Sequence, residues 1–274
     1  MKKIQWLKLQ LLFCIFSCNI FAQTANPEDI RQLVSNGVAV RIGAPLKAYK
    51  LNQIIRQNPS LVTIFADGYR KYEIENFIRL GAKVVIGKPF EWYDIISLLQ
   101  QGSQQITVIA DGYSSGEVTG LLQNGAKIIA GKPFSAFDIS TFLTVKTGSV
   151  TVIADGYPSY EVNTMLLNGA DIIAGQTFKS YEINNFLTYK KGLVTVLADG
   201  FQSYEMNSFL NNGAHLYIGK PFQTYEVSQY LVSNKDAVTI LADDYKSNEL
   251  NFFMLQGAKI MATYQPLMKK KILF

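Results

Sequence analysis

Acidic and basic side chains alternate at fixed intervals through most of the chain. An Asp returns every 44 residues, usually before Gly, and a Lys followed by Pro stands between most successive Asp residues. Gathered at one edge of a sheet, such groups could bind a polar ligand, and a pair of carboxylates could serve as acid and base in hydrolysis. We call these positions the Asp/Lys row: Asp67, Lys88, Asp111, Lys132, Asp155, Gln176, Asp199, Lys220 and Asp243.

The Asp/Lys row breaks once, in the middle of the chain. Gln176-Thr177 replaces Lys-Pro and leaves Asp155 and Asp199 without a cation between them. A neutral amide between two carboxylates suits sugar hydroxyls, an amine or a cation. We therefore take Asp155, Gln176 and Asp199 as the candidate ligand site, with drift of the repeat as the alternative. The other members are interpreted as a structural ladder of neutralising charges that fixes the order of the strands.

Other residue types used in catalysis are scarce. His215 is the single histidine, and it stands at the start of a predicted strand, whereas the Asp/Lys row stands at strand ends. No Ser-His-Asp or Cys-His set can therefore assemble, and no His or Cys cluster suits a metal. These patterns predict no catalytic residue, no metal site and no cofactor.

The Asp/Lys row belongs to an internal repeat that runs without insertion. Each 44-residue unit divides into similar halves of 21 and 23 residues. In each half, a run rich in Val, Ile and Thr predicts a strand, and apolar residues at helical spacing, such as Ile183, Phe186 and Leu187, predict a helix. The predicted domain covers residues 23–274, with full units at 62–105, 106–149, 150–193 and 194–237 and partial units at 23–61 and 238–274.

An acidic residue stands at the start of nearly every predicted helix. We interpret it as a capping carboxylate that meets the positive end of the helix, in preference to a row of acidic ligands. These acids are Glu73, Asp94, Glu117, Asp138, Glu161, Glu182, Glu205, Glu226 and Glu249.

Strict alternation of strand and helix predicts parallel strands joined by right-handed crossovers. Because the connections have one length, each strand should lie beside the previous one, with all helices on one side. The sequence thus predicts an α/β fold, a single-wound β/α solenoid of about 22-residue strand-helix repeats, with 11 parallel strands inside and the helices outside. It should form a horseshoe or a nearly closed ring. The number of strands excludes an ordinary eight-stranded barrel.

A period of two sorts the side chains of each strand onto two faces. We assign an apolar middle row to the concave face, on which the ring closes or which lines a groove for an apolar or peptide ligand. This middle row is Phe65, Ile86, Ile109, Ala130, Ile153, Ala174, Leu197, Ile218 and Leu241. An aromatic residue also follows each strand, as at Tyr157 and Phe178, and we expect these rings to pack between helices rather than to form a recognition strip.

The first 22 residues have the features of a secretory signal peptide. A basic start precedes a short apolar run, and Ala22 offers a small residue for cleavage. Loss of this segment removes both cysteines and three lysines, so the formal net charge falls from +5 to +2. We predict a periplasmic or extracellular protein, with a lipid anchor at Cys18 as the alternative. The small net charge gives no support to nucleic-acid binding, and the apolar run is too short to span a membrane.

These features favour a non-enzymatic binding or scaffold protein that uses its concave face and the turns after its strands. Its partner would be a protein, a peptide or a glycan. Two alternatives stay open. One is a carbohydrate-active or other hydrolytic enzyme with its site at the Gln176 break, and the other is a purely structural protein of the cell envelope.

Overall fold

The computed structural model describes residues 27–44, 46–189, 194–219, 221–242 and 245–264. The predicted signal peptide at 1–22 and the alternative lipid anchor at Cys18 lie outside these residues and stay predictions. In the described part of the chain, no helix is both long and apolar enough to cross a membrane.

Eleven strands alternate with eleven helices in the described residues. The strands are β1 (Ala39–Ile42), β2 (Val62–Phe65), β3 (Lys83–Ile86), β4 (Ile106–Ile109), β5 (Lys127–Ala130), β6 (Val150–Ile153), β7 (Asp171–Ala174), β8 (Val194–Leu197), β9 (His215–Ile218), β10 (Val238–Leu241) and β11 (Lys259–Tyr264). The helices are α1 (Pro27–Ser35), α2 (Ala48–Ile55), α3 (Lys71–Arg79), α4 (Trp92–Gly102), α5 (Ser115–Gln123), α6 (Ala136–Val145), α7 (Ser159–Leu167), α8 (Ser180–Tyr189), α9 (Ser203–Asn211), α10 (Thr224–Asn234) and α11 (Ser247–Leu255).

The strands form one sheet that closes on itself. Its order is β1-β11-β10-β9-β8-β7-β6-β5-β4-β3-β2, so each strand lies beside the previous one and β1 meets β11. The pairing of β1 with β11 is parallel, with Ala39 level with Met261. The predicted single-wound β/α fold with 11 parallel strands is therefore confirmed, and of the two predicted forms it is the closed one.

The packing divides the chain into two compact units. One comprises the described residues up to 128 together with 261–264, and it contains β1 to β4. The other is 129–260 and contains β6 to β10. Each unit has a core of apolar side chains at helical spacing, represented by Phe77 in the first and Phe186 in the second, both completely buried.

A glycine ends most helices and sets the start of the next strand. After α3, the Gly81 N–H donates to the carbonyl of Ile78 at 2.9 Å, and the Ala82 N–H donates to that of Phe77 at 3.1 Å. This pair of bonds requires Gly81 to adopt a φ of 93°, a left-handed conformation that a side chain disfavours. In most cases, three residues thus separate the end of a helix from the start of the next strand.

In every second strand, the residues that face the helices are shifted by one position from those that we expected to face them. Ile86 is level with Val108, and Ala174 with Val196, and all four are completely or almost completely buried. These side chains therefore form the layer between sheet and helices. The assignment of Ile86, Ala130, Ala174 and Ile218 to the concave face is wrong. The other members of the middle row lie on the inner face, as we expected. They are Phe65, Ile109, Ile153, Leu197 and Leu241.

Two adjacent isoleucines of β7 test this placement. Ile172 is completely buried beneath the helices, whereas Ile173 lies on the opposite face and is only half-buried. Ile172→Ala should lower the free energy of unfolding by about 2–5 kcal/mol, because it leaves a cavity in the core. Ile173→Ala should cost less than half as much. Chemical denaturation of both variants measures the difference, and the reverse order would contradict the observed register.

Candidate active site

The candidate site lies at the carboxyl-terminal ends of β6, β7 and β8, within the unit 129–260. Asp155, Gln176 and Asp199 each stand two residues beyond the last residue of their strand. Because the strands are parallel, these positions share one edge of the sheet, the edge at which α/β proteins usually bind ligands. Both aspartates are half-buried, and Gln176 is exposed.

The two aspartates are not level across the sheet. Ile153 is level with Ile173, and Ile173 is level with Thr195. Asp155 therefore stands two residues beyond this level, and Asp199 stands four residues beyond it. From standard strand geometry, their backbones are about 10 Å apart across the sheet and about 7 Å apart along it. A sugar ring or a water molecule can be accommodated between carboxylates at this separation.

The lysines of the Asp/Lys row contact tyrosine rings. Lys132 Nζ lies 4.1 Å from the centre of the Tyr157 ring, and Lys88 Nζ lies 4.5 Å from that of Tyr113. Lys88 also donates to Glu91 Oε2 at 3.4 Å. Among the described residues, no Asp of the row forms an ion pair of 4.0 Å or less with a Lys of the row. In this part of the chain, the next aromatic ring holds each cation.

Gln176 occupies the position that lysine occupies in the other units. Lys132 Cγ lies 3.2 Å from the point where a side chain on Gly156 would begin. Gln176 Oε1 lies against Gly200 in the same way, and any side chain on Gly200 would collide with it. The amide thus places a neutral donor and acceptor beside Asp199, where other units carry an ammonium group. The remaining row members Lys220 and Asp243 lie outside the described residues.

The first-turn carboxylates accept hydrogen bonds from the backbone that precedes each helix. The N–H of the residue before the helix donates to the acid three residues later, at 2.6 Å from Gln202 to Glu205 and at 2.8 Å from Gln223 to Glu226. The capping interpretation is therefore confirmed for these acids. The acids that accept this bond are Glu73, Glu117, Asp138, Glu182, Glu205, Glu226 and Glu249.

A second donor reaches several of these carboxylates from the preceding helix. The hydroxyls of Ser159 and Ser180, the first residues of α7 and α8, donate to Glu182 and Glu205. The pKa of Glu182 is lowered, first by the Ser159 hydroxyl and then by the Lys179 N–H, because both bonds favour the charged form. These acids therefore serve the structure.

Glu161 stands at the same position of α7, but it lacks both donors. The residue before the helix is Pro158, which has no N–H, and the first residue of the preceding helix α6 is Ala136, which has no hydroxyl. As a result, Glu161 Oε2 is buried and accepts no hydrogen bond. An unsatisfied buried acceptor costs about 1–3 kcal/mol. Glu161 lies in the first turn of α7, the helix that follows β6 and Asp155, so a carboxyl group without a structural partner lies six residues after Asp155 in the chain.

By residue type and position, Glu161 is indistinguishable from the capping acids, and we grouped it with them. The signal that could have found it is the loss of both donors. Pro158 stands where other repeats have a residue with an N–H, and Ala136 stands where the following repeats have Ser or Thr.

The aromatic residues that follow the strands are core residues. The Phe178 and Phe186 rings pack edge to face at 5.1 Å, and the buried Tyr157 donates its hydroxyl to the carbonyl of Phe134 at 2.7 Å. The expectation that these rings pack, rather than form a recognition strip, is confirmed. His215 is exposed at the start of β9, as expected. In the described residues, no group of three or more His, Cys, Asp or Glu side chains could hold a metal ion.

No family model matches the chain, and no curated protein matches it. Several solved structures are similar in fold. An HpcH/HpaI aldolase from Desulfitobacterium hafniense is 13% identical with a TM-score of 0.33, over 85% of this chain and 88% of that one. The citrate synthase SbnG is 12% identical with a TM-score of 0.36, over 86% and 90%. A putative phosphonomutase from Burkholderia cenocepacia is 9% identical with a TM-score of 0.30, over 73% and 86%. At these values, the likeness supplies neither a substrate nor an active-site residue for this chain.

The comparisons correct our expectation about function. We expected a non-enzymatic, secreted binding or scaffold protein, whereas the similar structures named above are described as enzymes. The descriptions of these structures contradict the expectation of a protein without enzymatic activity, and that expectation is not carried further. The enzymatic alternative is retained.

The orphaned carboxylate predicts an exception among first-turn acids. Glu205→Ala should lower the free energy of unfolding by about 0.5–2 kcal/mol, because it removes the capping bond. Glu161→Ala removes no hydrogen bond from Oε2 and should cost much less. Ala136→Ser, which restores a hydroxyl at the start of α6, should raise stability. Urea denaturation measures all three, and equal losses for the two Glu variants would show that Glu161 has a partner after all.

Proposed function

We propose that this protein is a hydrolase that cleaves glycosidic bonds at the carboxyl-terminal ends of β6, β7 and β8. The observation that carries the proposal is Glu161, whose buried Oε2 has no hydrogen-bond donor among the residues that the structure describes. Once the surrounding side chains open, this carboxyl group can bond to a substrate oxygen and give it a proton without losing a structural bond.

Hydrolysis of a glycoside needs two carboxyl groups in different roles. Glu161 is the acid, which protonates the leaving oxygen as the bond from the sugar carbon to that oxygen breaks. Asp155 and Asp199 are the carboxylates from which the base comes, and the base takes a proton from the water that attacks the sugar carbon. Gln176, with a neutral amide, bonds sugar hydroxyls and keeps an ammonium group out of the space beside Asp199.

The concentration of irregularities supports this location. Pro158, Gln176 and Thr177 each depart from the rule of their repeat, and all three lie within a stretch of 20 residues around β7. A protein that loses a helix cap and a cation–π contact at one edge gives up stability there, and such losses are expected where a site is kept for function.

Glu161→Gln tests the acid. It should lower kcat by at least about 100-fold on aryl glycosides with poor leaving groups, since proton donation contributes about 10²–10⁴-fold. Asp155→Asn and Asp199→Asn should show which aspartate is the base, because loss of the base should lower kcat and loss of a carboxylate that only binds substrate should raise KM. The matched control is Glu226→Gln, an acid at the same repeat position whose carboxylate accepts the Gln223 N–H at 2.8 Å. The Glu226→Gln variant should keep the activity of the wild type. Release of the aryl group is the measurement, and an active Glu161→Gln enzyme would refute the assignment.

The break in the Asp/Lys row gives a second test, with effects of opposite sign. The double variant Gln176→Lys, Thr177→Pro restores the repeat, so its ammonium group should lie over Phe201 and beside Asp199. Its melting temperature should hold or rise slightly, while KM rises because the cation occupies the space of the sugar hydroxyls. Lys88→Gln makes the converse change beside Gly112 and Tyr113, away from the site, and should leave KM unchanged. An unaltered KM in the double variant would remove Gln176 from the site.

A further inference from the structure

Five consecutive helices of the unit 129–260 expose an aromatic ring in their first turn. Each ring belongs to the second residue of its helix, directly before the first-turn acid. The exposed fractions run from 65% at Tyr225 to 80% at Phe137. We call these five residues the aromatic rim: Phe137, Tyr160, Tyr181, Tyr204 and Tyr225.

The exposure of these rings is a feature of their position and not of aromatic residues in general. In the same unit, the rings that follow the strands, such as Phe178 and Phe222, are 5% and 4% exposed. Every helix has the same strand-turn-helix connection, so the rim rings recur at one height on adjacent helices. Packed helices are about 8–10 Å apart, and this sets the spacing of neighbouring rings. Large apolar surface presented to solvent at regular intervals indicates a ligand.

The groups around the rim determine the chemistry of that ligand. Taken together, the residue before each of these five helices and the first three residues of each helix include five acids and one base, Lys179. An anionic membrane or a nucleic acid requires a basic surface, so neither fits. Serine and threonine hydroxyls stand beside the rings in four of the five helices, at Ser159, Ser180, Ser203 and Thr224. The surface therefore combines ring faces with neutral and acidic hydrogen-bonding groups.

From these observations we infer that the aromatic rim binds a polysaccharide of neutral or amino sugars. The C–H groups on one face of a sugar ring pack against an aromatic ring. Its hydroxyls donate to the lone pairs left on the Ser, Thr and carboxylate oxygens alongside, which already take part in bonds within the protein. Contacts that repeat along the protein match a ligand that itself repeats, which a polysaccharide does and a folded protein surface does not. The rim goes beyond the proposed hydrolytic site, because binding here needs neither Glu161 nor the aspartates.

Retention on insoluble polysaccharides tests this inference. The full-length protein is mixed with cellulose, chitin, xylan, mannan and starch granules, and the unbound fraction is measured. The wild type should bind at least one of them. The triple variant Tyr160→Ala, Tyr181→Ala, Tyr204→Ala should bind it about 100-fold more weakly, because linked contacts act together. The triple Tyr→Phe variant should retain binding, since the rings are kept. No retention of the wild type on any of the five polymers would overturn the inference.

Matched controls separate the rim from other causes. Leu167→Ala and Val232→Ala remove exposed apolar side chains of the same unit, 65% and 86% exposed, away from the first turns, and binding should be unchanged. Circular dichroism should show the triple Ala variant folded. Glu161→Gln should bind as the wild type does, so a failed hydrolase assay and a failed binding assay remain distinct results. The inference would be contradicted if the triple Ala variant bound the polysaccharide as well as the wild type does. It would also be contradicted if that variant kept polysaccharide binding and instead lost self-association or binding to lipid vesicles.

Discussion

The hydrogen bond from a backbone N–H to the carboxylate three residues later recurs at the start of helix after helix, and the closed sheet depends on its regularity. In a single-wound barrel, the position of each strand is set by the connection before it. A change in the geometry of one turn would therefore displace every strand that follows. The capping carboxylate limits this variation by fixing where the helix begins. Serine and threonine at the first position then join adjacent helices, as Ser159 joins Glu182 and Thr224 joins Glu249. The glycine at the other end of the helix fixes where the next strand begins.

This regularity makes every departure informative. A repeat that drifts freely should lose its caps at scattered places, and the loss should be compensated by some other donor nearby. At α7 the backbone donor and the hydroxyl donor are missing together, and the carboxylate they would serve is retained with a buried, unsatisfied oxygen. The cost of that oxygen is comparable to the contribution of a helix cap. A carboxyl group kept at such a cost, at the start of a helix that follows a ligand-binding edge of the sheet, is better explained by chemistry than by drift.

Much of the fold could be predicted from the sequence, because local signals determine it. The strand runs, the helical spacing and the connections of constant length specify 11 parallel strands in sequential order. The faces of alternate strands could not be predicted in the same way. We aligned Asp67 with Lys88 by their place after the strand, whereas Phe65 is level with Val85, which puts Asp67 level with Gly87. The strands of a closed barrel tilt, so the pairing shifts along the sheet as it turns. A shift of one residue exchanges the two faces of a strand, and nothing in a single 22-residue half-repeat records it.

The site shows a similar division between local and distant information. Gln176 is visible in the sequence because it differs from lysine at its own position. Glu161 does not differ from the other first-turn acids, and its distinction lies in Pro158, three residues before it, and in Ala136, on the preceding helix. The absence of a hydroxyl at Ala136 can be connected with Glu161 only when the contact between adjacent helices is known. The aromatic rim was overlooked for the same reason, since a Tyr before each Glu fits an amphipathic helix until its exposure is measured. All these features lie at helix starts or strand ends, where the fewest side chains belong to the core. In a barrel built from one repeated connection, these are the positions at which the residue type can change without disturbing the core.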